Sequence, residues 1–217
     1  MKQLEIIQGL MKRYPSLQLC KEELLRAFNV LQNSYSNGGK LLVAGNGGSA
    51  SDSEHIVGEL MKEFKMKRKI YENHAERMKN IDAERGEVLA KHLQGALPAI
   101  SLVGEAALMT AYMNDSEPQL VFAQQIYGLG SENDVFLGIS TSGNSENILY
   151  AAVAAKAKGL KVIGLTGAKP SKLMRYCNVC IQVPATETFK IQELHLPVYH
   201  CLCMMLEDFF FNENNMR

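Results

Sequence analysis

The stretch that most limits what this chain can fold into is Leu41 to Leu60. An apolar run, Leu41-Leu42-Val43-Ala44, breaks into Gly45-Asn46-Gly47-Gly48-Ser49 and then into a helical pattern carrying His55 and Glu59. Glycines let the backbone turn tightly and approach a ligand, and the helix start that follows offers free N–H groups to an anion. The arrangement comes again after Phe136 to Ile139, where Ser140-Thr141-Ser142-Gly143-Asn144-Ser145 leads into an alanine-rich helix from about Glu146 to Lys158. Four hydroxyl side chains in six residues replace most of the glycines and suit several phosphate oxygens at once. Two such turns imply a phosphorylated small molecule.

The rest of the chain reads as strands alternating with helices. Strands are expected at about 40–44, 98–103, 134–139, 161–165 and 178–183. Helices are expected at about 50–63, 104–113, 117–128, 145–158, 169–175 and 187–211, after two helical stretches within 1–36 around Tyr14-Pro15-Ser16. This alternation predicts an α/β fold, a three-layer α/β/α sandwich with a five-stranded parallel sheet buried on both faces. Ligands bind such sheets outside the carboxyl ends of the strands, where both turns fall. A chain of 217 residues with 47% apolar content fits one domain spanning 1–217.

Lys+Arg and Asp+Glu are both 23, so no global basic field invites nucleic acid. No apolar run reaches the roughly 20 residues of a membrane span, and Met1-Lys2-Gln3-Leu4-Glu5 has no signal-peptide core, so a cytoplasmic location is expected. Cys20, Cys177, Cys180, Cys201 and Cys203 fit a reducing compartment and read as small buried core residues. Cys177-Asn178-Val179-Cys180 has a redox or zinc spacing, but it runs into a buried strand and has no second pair.

The two turns and the segment Ile191-Gln192-Glu193-Leu194-His195 continuing to His200 together resemble the SIS (sugar isomerase) domain, and within it the bacterial phosphoheptose isomerases. The resemblance implies a flavodoxin-like SIS fold and aldose-ketose isomerisation of sedoheptulose 7-phosphate to D-glycero-D-manno-heptose 7-phosphate, with a place in heptose supply for lipopolysaccharide or capsule. It implies Glu59 as base and His200 as acid, and a substrate site made of Asn46, Gly47, Gly48, Ser49, Asn114, Asp115, Ser140, Thr141, Ser142, Ser145, Thr166 and Gln192. The set His55, Glu59, Gln192 and His200 matches a zinc site of some members, so one Zn²⁺ per site and no nucleotide cofactor are expected. The relatives are tetramers with sites at subunit boundaries, which implies that Gln192 and His200 serve a neighbour's Glu59. The apolar surplus of the C-terminal helix and the N-terminal helices points to the same oligomer burial.

His55 and Glu59, four apart, share one helix face. Gln192 and His200 differ by about 80° around their helix, so they meet only on a ligand lying to its side. His195 reads as scaffold, and His74 and His92 as surface residues.

Three features depart from the resemblance. Residues 62–95 form a charged helical insertion whose apolar positions, Met78, Ile81, Val88, Leu89 and Leu93, make a narrow stripe. The readings open for it are a solvated face, a contact with the body, a substrate lid and an oligomer contact; its basic start, Lys62 to Lys69, suits a phosphate or an acidic partner. Glu63 stands where relatives often carry arginine, and Phe189 where they often carry aspartate. Two other readings compete with the heptose isomerase. One is a sugar-phosphate-binding regulatory module of the kind that binds a replication initiator, the other an isomerase of a different phosphosugar. A sensor has no need of Glu59 with His200.

Overall fold

The computed structural model describes residues 2–212, without the side chain of Lys2. Met1 of the N-terminal reading and residues 213–217 of the single-domain expectation lie outside the described residues. Five strands, β1 (Leu41–Ala44), β2 (Ala99–Ser101), β3 (Val135–Ile139), β4 (Lys161–Thr166) and β5 (Val179–Gln182), make one parallel sheet in the order β2-β1-β3-β4-β5. Strand residues alternate between two cores. Leu41, Val43, Val135, Leu137, Ile163 and Ile181 face one layer, while Leu42, Ala44, Phe136 and Val162 face the other. Burial on both faces explains why the strands read as unbroken apolar runs.

The first layer holds α1 (Lys2–Arg13), α2 (Lys21–Ser36), α3 (Gly48–Met61) and α9 (Thr188–Phe211), and the second α6 (Ala106–Asp115), α7 (Val121–Leu129) and α8 (Glu146–Ala157). The α/β/α sandwich is therefore as expected. The apolar surplus of α9, however, is largely absorbed within the chain: Val198, Leu202, Met205 and Leu206 are buried, and Phe209 and Phe210 pack edge-on against Phe28 and Tyr35 of α2. Most of it therefore calls for no second subunit.

Two expected helices come out differently. Residues 169–175 give only a short 3-10 turn, Leu173–Arg175, because Pro170 steers its predecessor away from helical backbone. The 117–128 stretch opens with a 3-10 turn, Pro118–Leu120, before α7 begins. Cys20, Cys201 and Cys203 are buried as read, but Cys177 and Cys180 are only half-buried.

The charged segment holds two helices, α4 (Glu72–Ile81) and α5 (Ala83–His92), which pack on each other. Asp82 starts α5 by accepting the Arg85 N–H at 2.8 Å. Gly86 allows the close approach, since a Cβ there would lie 2.4 Å from the Met78 carbonyl oxygen. Gly86 is the one buried residue among the two helices, and Ile81, Val88, Leu89 and Leu93 are exposed. The stripe is thus not covered by the body of the protein. Among the described residues no helix is long and apolar enough to cross a membrane.

Candidate active site

The sheet order reverses between β1 and β3, and the crevice outside their carboxyl ends is where such folds place ligands. Both turns border it. After β1, Gly47 adopts φ +57°, a left-handed conformation that favours glycine, and α3 begins at Gly48. After β3, Gly143 does the same at φ +62°. The Ser140 hydroxyl lies 3.0 Å from that of Ser145 and accepts the Gly143 N–H at 3.1 Å. Ser142 Oγ accepts the Asn144 N–H, and the Thr141 carbonyl accepts the Gly167 N–H. The turns are tied together: Asn46 and Asn147 exchange amide hydrogen bonds at 3.0 and 2.9 Å.

Helices α3 and α9 pack side by side on the same layer, which brings the two ends of the sequence motif together. Gln192 lies against the glycine turn, where a Cβ on Gly48 would sit 2.6 Å from its amide nitrogen. Two helical turns further on, His55, Glu59 and His200 meet with their donor atoms all within 4.8 Å of one another. His55 Nε2 stands 3.1 Å from Glu59 Oε1, and the His55 and His200 rings are edge-on with centroids 5.0 Å apart. Glu59 Oε2 and His200 Nε2 are both buried without a hydrogen-bond partner. Such orphaned atoms are costly unless something completes them. A carboxylate oxygen and two imidazole nitrogens form a donor set suited to Zn²⁺, so the residues fit a cation of that kind. Burial, then the neighbouring His55, push His200 below the usual histidine range, with Glu59 working against them.

This meeting occurs inside one chain. The resemblance implied that His200 serves a neighbour's Glu59; within this chain the packing of α3 on α9 already brings the two together.

Not every expected residue is gathered in. Ser49 is buried beneath the first turn. Thr166 is fully buried, and its hydroxyl donates to the Gly167 carbonyl and faces Cys180, so it does not reach the surface of the crevice. Asn114 and Asp115 end α6, exposed and bonded to each other at 2.8 Å, and no hydrogen bond among the described residues ties them to the turns. His195 is fully buried, in keeping with scaffold.

Sequence reasoning missed three residues. Tyr199 contacts His55 from behind, and Asp52 in turn accepts the Tyr199 hydroxyl. Arg68, read as part of a basic stretch, is 2% exposed and cannot serve a phosphate. It pairs with buried Glu207 at 2.8 Å and donates to the carbonyls of Leu60 and Glu59, capping the end of α3. The carboxylate of Glu207 also takes the N–H groups of Phe64 and Lys65. The spacing of Asp52, His55 and Glu59, three and four apart, was the one signal in the sequence for a longer polar face on α3.

A family model for the SIS domain matches residues 83–167. The phosphoheptose isomerase of Aneurinibacillus thermoaerophilus is 38% identical over 197 residues, covering 89% of this chain and 86% of its own. That of Helicobacter pylori is 36% identical over 199 residues, covering 92% of this chain and 90% of its own. Among solved structures, the phosphoheptose isomerase of Neisseria gonorrhoeae superposes with a TM-score of 0.71 at 28% identity, over 95% of this chain and 94% of the other.

Proposed function

The chain belongs to the phosphoheptose isomerase family, and from that premise we propose that it interconverts sedoheptulose 7-phosphate and D-glycero-D-manno-heptose 7-phosphate. The observation that carries the reading is the pair of orphaned buried atoms, Glu59 Oε2 and His200 Nε2, held beside each other on α3 and α9. Moving a proton between C1 and C2 through an enediol needs a base at carbon and a donor at oxygen. Glu59 takes the proton, and His200 serves the sugar oxygen. Because His200 is held low, it is neutral near pH 7 and acts as an imidazole N–H donor.

The phosphate is held by the hydroxyls of Ser140, Thr141, Ser142 and Ser145 and by the free N–H groups opening α8, with Asn46, Gly47, Gly48 and Ser49 on the facing turn. Gln192, against Gly48, spans from the turn toward the acid-base pair. Asn114 and Asp115 belong to the proposed substrate set by resemblance, whereas Thr166 lies buried beneath the crevice. His55, Glu59 and His200, with Gln192 as a weaker carbonyl ligand, would hold one Zn²⁺. Bound there, the metal would polarise the sugar carbonyl and leave Glu59 a poorer free base.

The chain works in the cytoplasm as a homo-oligomer, a tetramer, whose copies close over the sites. A half-open cleft of about 630 Å³ beside His200, lined by Ile6, Arg13, Phe64, Lys65 and Leu196, supports that closure.

The test is incubation with sedoheptulose 7-phosphate followed by NMR, with metal content assayed on the same sample. Conversion is expected, lowered about 10²- to 10⁴-fold by Glu59→Gln and by His200→Ala. No conversion with or without added Zn²⁺, in protein that still binds the sugar phosphate, would reject the heptose substrate.

A further inference from the structure

Behind His55 lies a polar chain that the proposed reaction does not use. Tyr199, 2% exposed, donates its hydroxyl hydrogen to Asp52 Oδ1 at 3.2 Å, and the tyrosine's own hydroxyl oxygen stands 3.0 Å from His55 Nδ1. A phenol has one hydrogen. Once it is given to Asp52, the oxygen is left as an acceptor, so the hydrogen in the contact with His55 comes from Nδ1. We infer that Asp52, acting through Tyr199, holds His55 in the tautomer protonated at Nδ1 and so turns the Nε2 electron pair toward Glu59 and His200. This deepens the proposed function and rests on His55 belonging to that site.

Two further observations agree. Asp52, His55 and Glu59 follow one another at spacings of three and four along α3, so the carboxylate behind His55 and the one in front share its face. Tyr199 and His200 are consecutive on α9 and grip the His55 ring edge-on from two sides, with centroids 5.5 and 5.0 Å away. Against them stands the contact of His55 Nε2 with Glu59 Oε1 at 3.1 Å, which the opposite tautomer would make a hydrogen bond and which this tautomer leaves for a cation to bridge. Metal-binding histidines commonly have this build: one nitrogen donates to a carboxylate or another polar group, and the other is left for the metal. Asp52 and Tyr199 are positioning residues, since neither touches the reacting atoms.

The tautomer is read directly by ¹⁵N NMR of histidine-labelled protein, free of metal and substrate at about pH 8, with His55→Gln assigning the resonance. The wild type is expected to carry the hydrogen on Nδ1. Tyr199→Phe keeps the ring and its edge-on contacts but removes the hydroxyl, and should release His55 toward the Nε2-protonated form. Asp52→Asn, at the outer end of the chain, tests the same link without touching the aromatic packing. In a Zn²⁺ titration against a chromophoric chelator, both variants should bind roughly 10- to 100-fold more weakly than the wild type. The inference is overturned by a hydrogen on His55 Nε2 in the wild type, which is the opposite polarity with Asp52 protonated. It is overturned equally if both variants leave the tautomer unchanged. Because the tautomer is measured without substrate, failure to convert the heptose phosphate would count against the isomerase reading alone.

Discussion

Burial holds the His195 imidazole down to about 4, against an ordinary 6.5, with the Thr166 backbone working weakly the other way. Above pH 6.5 the ring is neutral in folded and unfolded chains alike. Between 6.5 and about 4 only the unfolded chain takes up the proton, so stability falls as the pH is lowered through that window. A loss of about 2 kcal/mol is expected from this group by pH 5. Thermal unfolding of the wild type and of His195→Gln at pH 7.5 and pH 5 checks it; the variant should lose less on acidification, and equal losses would exclude His195 as the source. At this scale, spacing alone put His55 and Glu59 on one face, and His200 was singled out through the family resemblance of its motif. Tyr199, Asp52 and Arg68 were not, since each acts through a contact between segments far apart in the chain. Arg68 shows why: the same guanidinium reads as a free cation in a basic run and becomes a buried cap only when Glu207 arrives from α9.

Among the elements, the strands were readable because a sheet covered on both faces demands apolar runs, and the helices because their periodicity survives packing. The 169–175 helix failed on Pro170. The charged hairpin was readable as helix, whereas its separation from the body was not, since an apolar stripe looks the same covered or bare. The chain leaves for the hairpin and returns at one place, where the Gly95 N–H bonds the Arg68 carbonyl at 3.0 Å. Replacing residues 72–92 by a short Gly-Ser linker should therefore shift the Tm of the body by no more than about 3 °C. Arg68→Ala, by contrast, leaves buried Glu207 uncompensated and should cost about 3–5 kcal/mol, on the order of 10 °C. Differential scanning calorimetry on both variants separates the two, and a large drop on excising the hairpin would mean that the body leans on it. Light scattering on the same deletion reads whether the bare stripe is an oligomer contact.

For the molecule as a whole, the meeting of α3 and α9 within one chain makes a prediction about mixtures. Glu59→Ala and His200→Ala subunits, co-expressed and isolated as mixed oligomers, should stay inactive, because every chain then lacks one member of its own pair. Recovered activity would place the working pair across two chains. The same packing sets a schedule for synthesis. Glu59 emerges in the first third of the chain and waits, with its helix end uncapped by Glu207-anchored Arg68, until the last helix has left the ribosome and docked. A chain cut anywhere between α8 and α9 keeps both turns and lacks His200. Activity in this protein is therefore a late event of folding, and turnover appearing in a refolding experiment is a clock for the arrival of the C-terminal helix.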